Sequence, residues 1–150
     1  MRAKRAIFIL LIILRFMKKT LLDTNFILTC VKQKIDFFEE IKLMGIQILI
    51  PKEVIREIKK VASSKQKQEV RINAKLALKI LEKNKYKKID LGKGRVDKKI
   101  ILYAKQNSEV IVATLDKGLQ KKIQNRKMII RGKMPEKLRT LFFYVSFLDC

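Results

Sequence analysis

The sequence predicts an α/β fold, in which helices cover both faces of a central, mostly parallel β-sheet in a three-layer α/β/α sandwich. Short apolar runs alternate with longer stretches of helical period, which is the β-α-β signature of a parallel sheet covered on both faces. The chain has 150 residues, no internal repeat and no low-complexity linker, so a single globular domain is expected.

The strands are predicted from the short apolar runs. The first run ends at Asp23, and the second, IQILI, is followed by Pro51, a residue that the first turn of a helix tolerates. A later run, EVIVA, leads directly to Thr114 and Asp116. The predicted strands are residues 20–22, 46–50, 88–91, 109–113 and 128–130.

The helices are predicted from apolar residues that recur three and four positions apart between these runs. Gly45 is expected to end the second helix. The long helix at residues 69–83 combines an apolar stripe with lysines and an arginine on its other faces, so its outer surface is basic. The predicted helices are residues 25–32, 35–44, 51–62, 69–83, 96–106 and 117 to about 125.

Both ends of the chain depart from this pattern. Residues 6–14 read AIFILLIIL between basic residues, but a membrane span needs about 20 apolar residues. Because Met17 opens a more ordinary start, residues 1–16 are interpreted as an apolar extension or a start-codon artefact. An extra edge strand or helix is the second interpretation, and a membrane anchor is the third. The main domain is predicted at residues 17–133. The tail at residues 134–150 is either a docking helix or a strand.

Basic residues dominate the charge: 36 Lys and Arg stand against 14 Asp and Glu, a net charge of +22. A small domain with this charge repels itself unless a polyanion or an acidic surface binds it, so RNA, DNA or an acidic lipid or protein surface is expected as a partner. The chain has no His, which excludes Ser-His-Asp and Cys-His nucleophiles and His-ligated zinc. Two widely separated cysteines form no metal motif and suit a reducing cytoplasm.

Carboxylates stand where a parallel sheet forms its ligand crevice. Asp23 follows the run TLL and Asp116 follows VIVATL, so both are expected at the rim formed by the carboxyl ends of the strands. The alternative is that each is only a helix N-cap. Glu57 and Asp97 lie near helix starts and, taken singly, read as solvated acids. Glu53 lies one turn before Glu57 and competes with it for the same role.

A family resemblance joins these acids. The chain carries LLDTNFIL, PKEVIREI, VDKKIILYA and VIVATLDKGL at residues 21–28, 51–58, 96–104 and 110–119. In order and separation these segments resemble the acidic motifs of PIN-domain ribonucleases, over about residues 17–132. The nearest likeness is to small archaeal VapC-like and rRNA-processing PIN proteins. The resemblance implies the α/β/α fold and a metal-dependent endoribonuclease that hydrolyses RNA phosphodiester bonds.

The resemblance also assigns residues. It implies catalytic and metal-ligating roles for Asp23, Glu57, Asp97 and Asp116, with Asn25 and Thr114 as supporting polar groups. Four carboxylates within about 5 Å would repel by roughly 3 kcal/mol per pair at an effective dielectric of about 20, so such a cluster requires cations or raised pKa values. An all-oxygen site selects Mg²⁺ or Mn²⁺ over zinc.

Basic residues near these acids are predicted to grip the phosphates of the substrate RNA. They are Lys93, Arg95, Lys98, Lys99, Lys75 and Lys79. A solvated lysine face remains the ordinary interpretation for each of them alone. The GKGR loop lacks the spacing of a P-loop.

Other functions stay open. A non-catalytic basic RNA-binding or ribosome-associated protein would need only the charge. A phosphotransfer domain would use Asp23 as phospho-acceptor, although DTN lacks the second acid of a DxD loop. If the chain is a toxin-type nuclease, an antitoxin protein is expected as its partner; a homodimer is open, and a membrane is not expected.

Overall fold

A computed structural model of the chain describes residues 2–130 and 145–148. In these residues the strands are β1 (Lys19–Leu22), β2 (Gln47–Pro51), β3 (Lys87–Ile89), β4 (Ile111–Ala113), β5 (Lys127–Ile130) and β6 (Val145–Leu148). The helices are α1 (Arg2–Phe16), α2 (Thr24–Lys32), α3 (Phe37–Leu43), α4 (Lys52–Ala62), α5 (Gln68–Lys83), α6 (Val96–Gln106) and α7 (Lys117–Lys122).

The strands form one sheet in the order β3-β2-β1-β4-β5-β6. Strands β1 to β5 pair in parallel, and β6 joins the edge antiparallel to β5. The chain moves outward from β1 to β3 and then crosses to β4 on the other side of β1. This reversal of strand order opens a crevice at the carboxyl ends of β1 and β4, which is where ligands bind in open α/β sheets.

Apolar side chains pack on both faces of the sheet. Leu22 and Ala113 face a large cluster that includes buried residues of α2, α3, α4 and α5. Leu21 and Val112 face a second cluster with α6 and α7. Because successive side chains of a strand point to opposite faces, two neighbouring residues serve two layers. The predicted three-layer α/β/α sandwich is confirmed.

Element boundaries differ from the prediction where side chains cap or bury the chain. Helix α3 begins at Phe37, two residues later than predicted, because Asp36 Oδ1 accepts a hydrogen bond from Glu39 N (3.1 Å) and so caps the helix. Helix α7 is shorter than predicted because Ile123 takes extended backbone and buries its side chain. Gly45 follows α3 with φ +70°, a conformation that glycine adopts without strain.

The two ends behave differently from the main sheet. Residues 2–16 form helix α1 rather than a strand, and the side chains described for it, residues 2–12, are exposed. No helix in the described part of the chain has the length and apolar content to span a membrane. Residues 145–148 form a strand, not a docking helix. The rest of the predicted tail, residues 134–144 and 149–150, lies outside the described residues.

We expect Ile58→Ala to lower the free energy of unfolding by about 2–5 kcal/mol, because Ile58 of α4 is fully buried in the larger apolar cluster. Ile72→Ala on α5 is the matched control. Since Ile72 is 53% exposed, its loss is expected to stay within about 0.5 kcal/mol. Urea denaturation of both variants measures the difference, and equal losses would contradict this packing.

Candidate active site

The carboxyl ends of β1 and β4 lie side by side at the centre of the sheet. Leu22 pairs with Ala113, and Asp23 N donates a hydrogen bond to Ala113 O (2.9 Å), which extends the ladder by one step. Asp23 then caps α2, while Thr114 begins the loop after β4. Two segments that are distant in the chain therefore meet at the crevice.

Asp23 is a buried carboxylate surrounded by donors and by like charges. Only 5% of the residue is exposed. Its Oδ1 accepts a hydrogen bond from Thr24 N (2.8 Å) and its Oδ2 accepts one from the Thr114 hydroxyl (2.9 Å). Burial raises the pKa of Asp23, the hydrogen bonds from Thr114 and Thr24 oppose that rise, and the charges of Asp97 and Glu57 raise the pKa further.

Thr114 and Asn25 connect the loop after β4 to the first turn of α2. Thr114 Oγ1 accepts a hydrogen bond from Asp116 N (3.2 Å) while it donates to Asp23. Asn25 Oδ1 accepts a hydrogen bond from Leu115 N (3.1 Å) and lies 3.4 Å from Thr114 Oγ1. The two predicted supporting residues thus hold the ends of β1 and β4 together.

Helix α4 brings Glu57 to the same place. The Thr24 hydroxyl donates a short hydrogen bond to Glu57 Oε2, so Glu57 lies beside the residue that follows Asp23. Glu53, one turn earlier, is buried and instead accepts a weak hydrogen bond from Leu91 N (3.4 Å). Of the two competing glutamates, the geometry brings Glu57 to Asp23.

Asp116 and Asp97 lie at the starts of two further helices. Asp116 caps α7, with Oδ1 accepting a hydrogen bond from Leu119 N (3.1 Å). A Cβ at Gly118 would lie only 3.1 Å from that oxygen, so glycine leaves room for it. Asp97 is exposed in α6 and forms no hydrogen bond or ion pair with any described residue. The N-cap alternative holds for Asp116 as it does for Asp23, and it does not exclude a site.

The acids do not form the tight cluster that the sequence predicted. Within residues 2–130 and 145–148, no three or more Cys, Asp or Glu side chains lie close enough together to hold a metal ion. Three of the acids instead accept hydrogen bonds from protein donors.

The donor chemistry nevertheless fits a hard divalent cation. All the side chains that the sequence assigned as ligands offer carboxylate oxygens, and among the described residues none of them forms an ion pair. Asp23 is buried and its pKa is raised by burial and by neighbouring carboxylates. A bound cation would stabilise the ionised form of this group, and oxygen donors are what Mg²⁺ and Mn²⁺ prefer.

Three residues of this region escaped the sequence analysis. Thr24 holds Glu57, Gln120 Nε2 donates to Thr114 O (2.7 Å), and Lys52 Nζ forms an ion pair with Asp90 (3.5 Å) near the carboxyl ends of β2 and β3. The hydroxyl of Thr24 directly after Asp23 was a usable signal, since the first turn of a helix faces the crevice. No pattern in the sequence pointed to Gln120 or Lys52.

The basic residues predicted to bind RNA lie at the surface. Lys93, Arg95 and Lys98 are exposed on either side of Asp97, and Lys99 is half-buried. The other two, at positions 75 and 79, are exposed on α5. Exposed cations near an acidic crevice suit a polyanion such as RNA. Contact between these residues and RNA stays a prediction.

Comparison with known proteins identifies the fold. The model of a family described as PIN like domain matches residues 20–133. The chain belongs to the PIN-domain family. This PIN domain is 39% identical over 126 residues to Ribonuclease VapC4 of Methanocaldococcus jannaschii, an alignment that covers 78% of the chain and 93% of that protein.

A solved structure agrees with this assignment. The PIN domain endonuclease Utp24 superposes on this PIN domain with a TM-score of 0.63 at 24% identity, covering 76% of this chain and 86% of that chain. At this identity the likeness shows the fold. The resemblance predicted from four acidic segments is confirmed.

We expect Asp23→Asn to raise the stability of this PIN domain near neutral pH in buffer containing EDTA. The fold raises the pKa of Asp23 above its ordinary value of 3.8, so the native state binds more protons than the unfolded state. Stability therefore falls as the pH rises from 3.8 to the higher folded-state pKa. Asn carries no charge and keeps an oxygen that accepts from Thr24 N.

Thermal denaturation over about pH 3 to 8 measures this dependence. Asp116→Asn is the control, because Asp116 is exposed and the substitution keeps an N-cap residue. A D23N variant that is less stable than the wild type at neutral pH would show that the ionised carboxylate stabilises the fold.

Proposed function

We propose that this PIN domain is a metal-dependent endoribonuclease that hydrolyses RNA phosphodiester bonds. The observation that carries the proposal is the buried Asp23 carboxylate, which accepts a hydrogen bond from Thr114 and is flanked by Asp97 and Glu57 at the central crevice. A net charge of +22 suits a polyanionic substrate. The name of the 39% identical relative, Ribonuclease VapC4, supports the substrate class.

The metal proposed is Mg²⁺ or Mn²⁺, and its ligands would be Asp23, Asp97 and Asp116, with Glu57 binding directly or through a water. Bound there, such an ion supplies Lewis-acid stabilisation of the charge that develops on the phosphoryl group and lowers the pKa of a bound water. The all-oxygen donor set and the raised pKa of Asp23 support this assignment.

The protein's own side chains position Asp23 and orient the incoming water. In hydrolysis a water oxygen bonds to phosphorus and gives up a proton to solvent, while the bond to the 3′ oxygen breaks and that oxygen leaves as a hydroxyl after taking a proton from solvent. Thr114 holds one oxygen of Asp23, and Asn25 holds the loop that carries Thr114. The oxygens of Asp97 accept no hydrogen bond from the described residues, so they are free to orient the incoming water.

Five lysines and one arginine at the surface bind the flanking phosphates in this proposal. Those beside Asp97 are Lys93, Arg95, Lys98 and Lys99, and those on α5 are Lys75 and Lys79. Affinity for single-stranded RNA should fall by about 0.7 log units per neutralised phosphate for each tenfold rise in salt. A toxin-type nuclease inhibited by an antitoxin protein and an rRNA-processing nuclease would both use this chemistry.

Purified protein incubated with single-stranded and structured RNA tests the proposal. We expect cleavage with Mn²⁺ or Mg²⁺ and none with EDTA. Asp23→Asn and Asp116→Asn should each lower the cleavage rate at least about 100-fold. RNA binding should be kept or strengthened, because each change removes a negative charge. Cleavage that continues in EDTA would overturn the proposed metal dependence. RNA binding without any cleavage would identify a non-catalytic RNA-binding protein.

A matched pair of threonine variants tests the positioning of Asp23. Thr114→Val removes the hydroxyl that donates to Asp23, so we expect kcat/KM for RNA to fall about 10–100-fold. Thr20→Val is the control on β1, because the Thr20 hydroxyl is buried and has no hydrogen-bond partner among the described residues.

Thr20→Val should leave cleavage unchanged. It should keep or raise the melting temperature, since a buried hydroxyl without a partner destabilises the fold. Equal cleavage by the two variants would remove the Thr114 hydroxyl from the proposed machinery.

A further inference from the structure

A small cavity, here the Asn73 pocket, opens between α2 and α5 directly beside the candidate active site. Its volume is about 250 Å³. The lining residues are Asn25, Leu28, Thr29, Lys32, Val70 and Asn73. Because Asn25 also accepts the hydrogen bond from Leu115 N that holds the loop after β4, the pocket and the acidic crevice share one side chain.

The surface that lines the Asn73 pocket is mostly apolar, and several of its few polar groups have no hydrogen-bond partner among the described residues. Within the described part of the chain, the Asn73 amide and the Thr29 hydroxyl form no hydrogen bond. Asn25 engages only its Oδ1, so its Nδ2 is also without a partner there. An amide offers a donor and an acceptor side by side, and these groups stand beside the apolar side chains of Leu28 and Val70.

The size and the mostly apolar lining of the pocket suit the face of a flat heteroaromatic ring, and the side-chain amides of Asn25 and Asn73 are the groups available to its polar edge. Pockets for drug-sized ligands measure about 300–1,000 Å³, so 250 Å³ accommodates a smaller group. Unpaired RNA bases are recognised by contacts on their faces and by hydrogen bonds to their edges. Side-chain amides pair with base edges through two hydrogen bonds. Lys32 is exposed at the pocket and offers an ammonium to an adjacent phosphate.

A larger cavity lies elsewhere. It measures about 840 Å³ and is lined by the amino ends of β2 and β3, at the edge of the sheet opposite the carboxylates. Because lysines line it together with Asp36 and Glu39, its charges do not indicate whether a cationic or an anionic ligand would bind there. Of these two cavities, the Asn73 pocket is the one that shares a residue, Asn25, with the candidate active site.

We propose that the Asn73 pocket binds one nucleobase of the RNA, next to the phosphate that is cleaved, and that Asn73 selects the base through its edge. This inference rests on the proposed endoribonuclease function. It assigns a base preference at one position of the substrate to a helix, α5, that carries none of the proposed catalytic acids.

Single-stranded RNA oligonucleotides in which each position is varied through the four bases test the inference. We expect wild-type protein with Mn²⁺ to prefer one base at one position next to the cleaved bond by about tenfold in kcat/KM. Asn73→Leu should reduce that preference to less than about twofold, chiefly through KM. Asn73→Asp, which keeps the shape and loses the donor, should change which base is preferred.

Gln68→Leu is the matched control, since it also removes an amide from α5 but does not line the pocket. It should keep the wild-type preference, and thermal denaturation of every variant checks folding. The inference is overturned if wild-type protein shows no preference beside the cleaved bond, or if Asn73→Leu and Asn73→Asp both keep it.

Binding of the same oligonucleotides in EDTA separates this inference from the proposed function. If no oligonucleotide is cleaved but the affinity depends on one base and on Asn73, the endoribonuclease proposal fails and the base pocket stands. If cleavage occurs and neither cleavage nor affinity responds to Asn73, the pocket fails and the endoribonuclease stands.

Discussion

A hydrogen bond between two strand ends organises this molecule. The Thr114 hydroxyl donates to Asp23 across 91 positions of sequence, at the place where the order of the parallel strands reverses. Asp23 is almost fully buried and burial raises its pKa, so the fold holds a carboxylate whose ionised form is costly to bury. A buried acid with a raised pKa is typical of a functional site.

The parallel topology explains how acids spread along the chain reach one rim. Every strand from β1 to β4 runs in the same direction, so the residues that follow them share an edge. At that edge each acid also has a local role: Asp23 and Asp116 cap helices, and Glu57 accepts a hydrogen bond from Thr24. Capping and a role in the site are compatible, because the first turns of the helices border the crevice.

Sequence patterns predicted much of this arrangement. Continuous apolar runs ending in Asp23 and Asp116 located the strand ends, since strand burial on both faces leaves a recognisable run of residues. The family resemblance assigned Glu57, but the helical pattern alone did not exclude Glu53, because both lie on the same side of one helix, one turn apart. The separate positions of the two glutamates depend on where Thr24 and Leu91 lie, and these are contacts between distant segments.

By itself the sequence determined the fold class, the family likeness and the strand ends that carry the carboxylates, because these depend on local periodicity and on residue order. Only the tertiary structure decided that the acids stand apart rather than in a tight cluster, that Thr24 binds Glu57 while Leu91 binds Glu53, and that a pocket opens between α2 and α5. Distances between side chains and the shape of a cavity arise from packing between elements, and no pattern along a single segment encodes them.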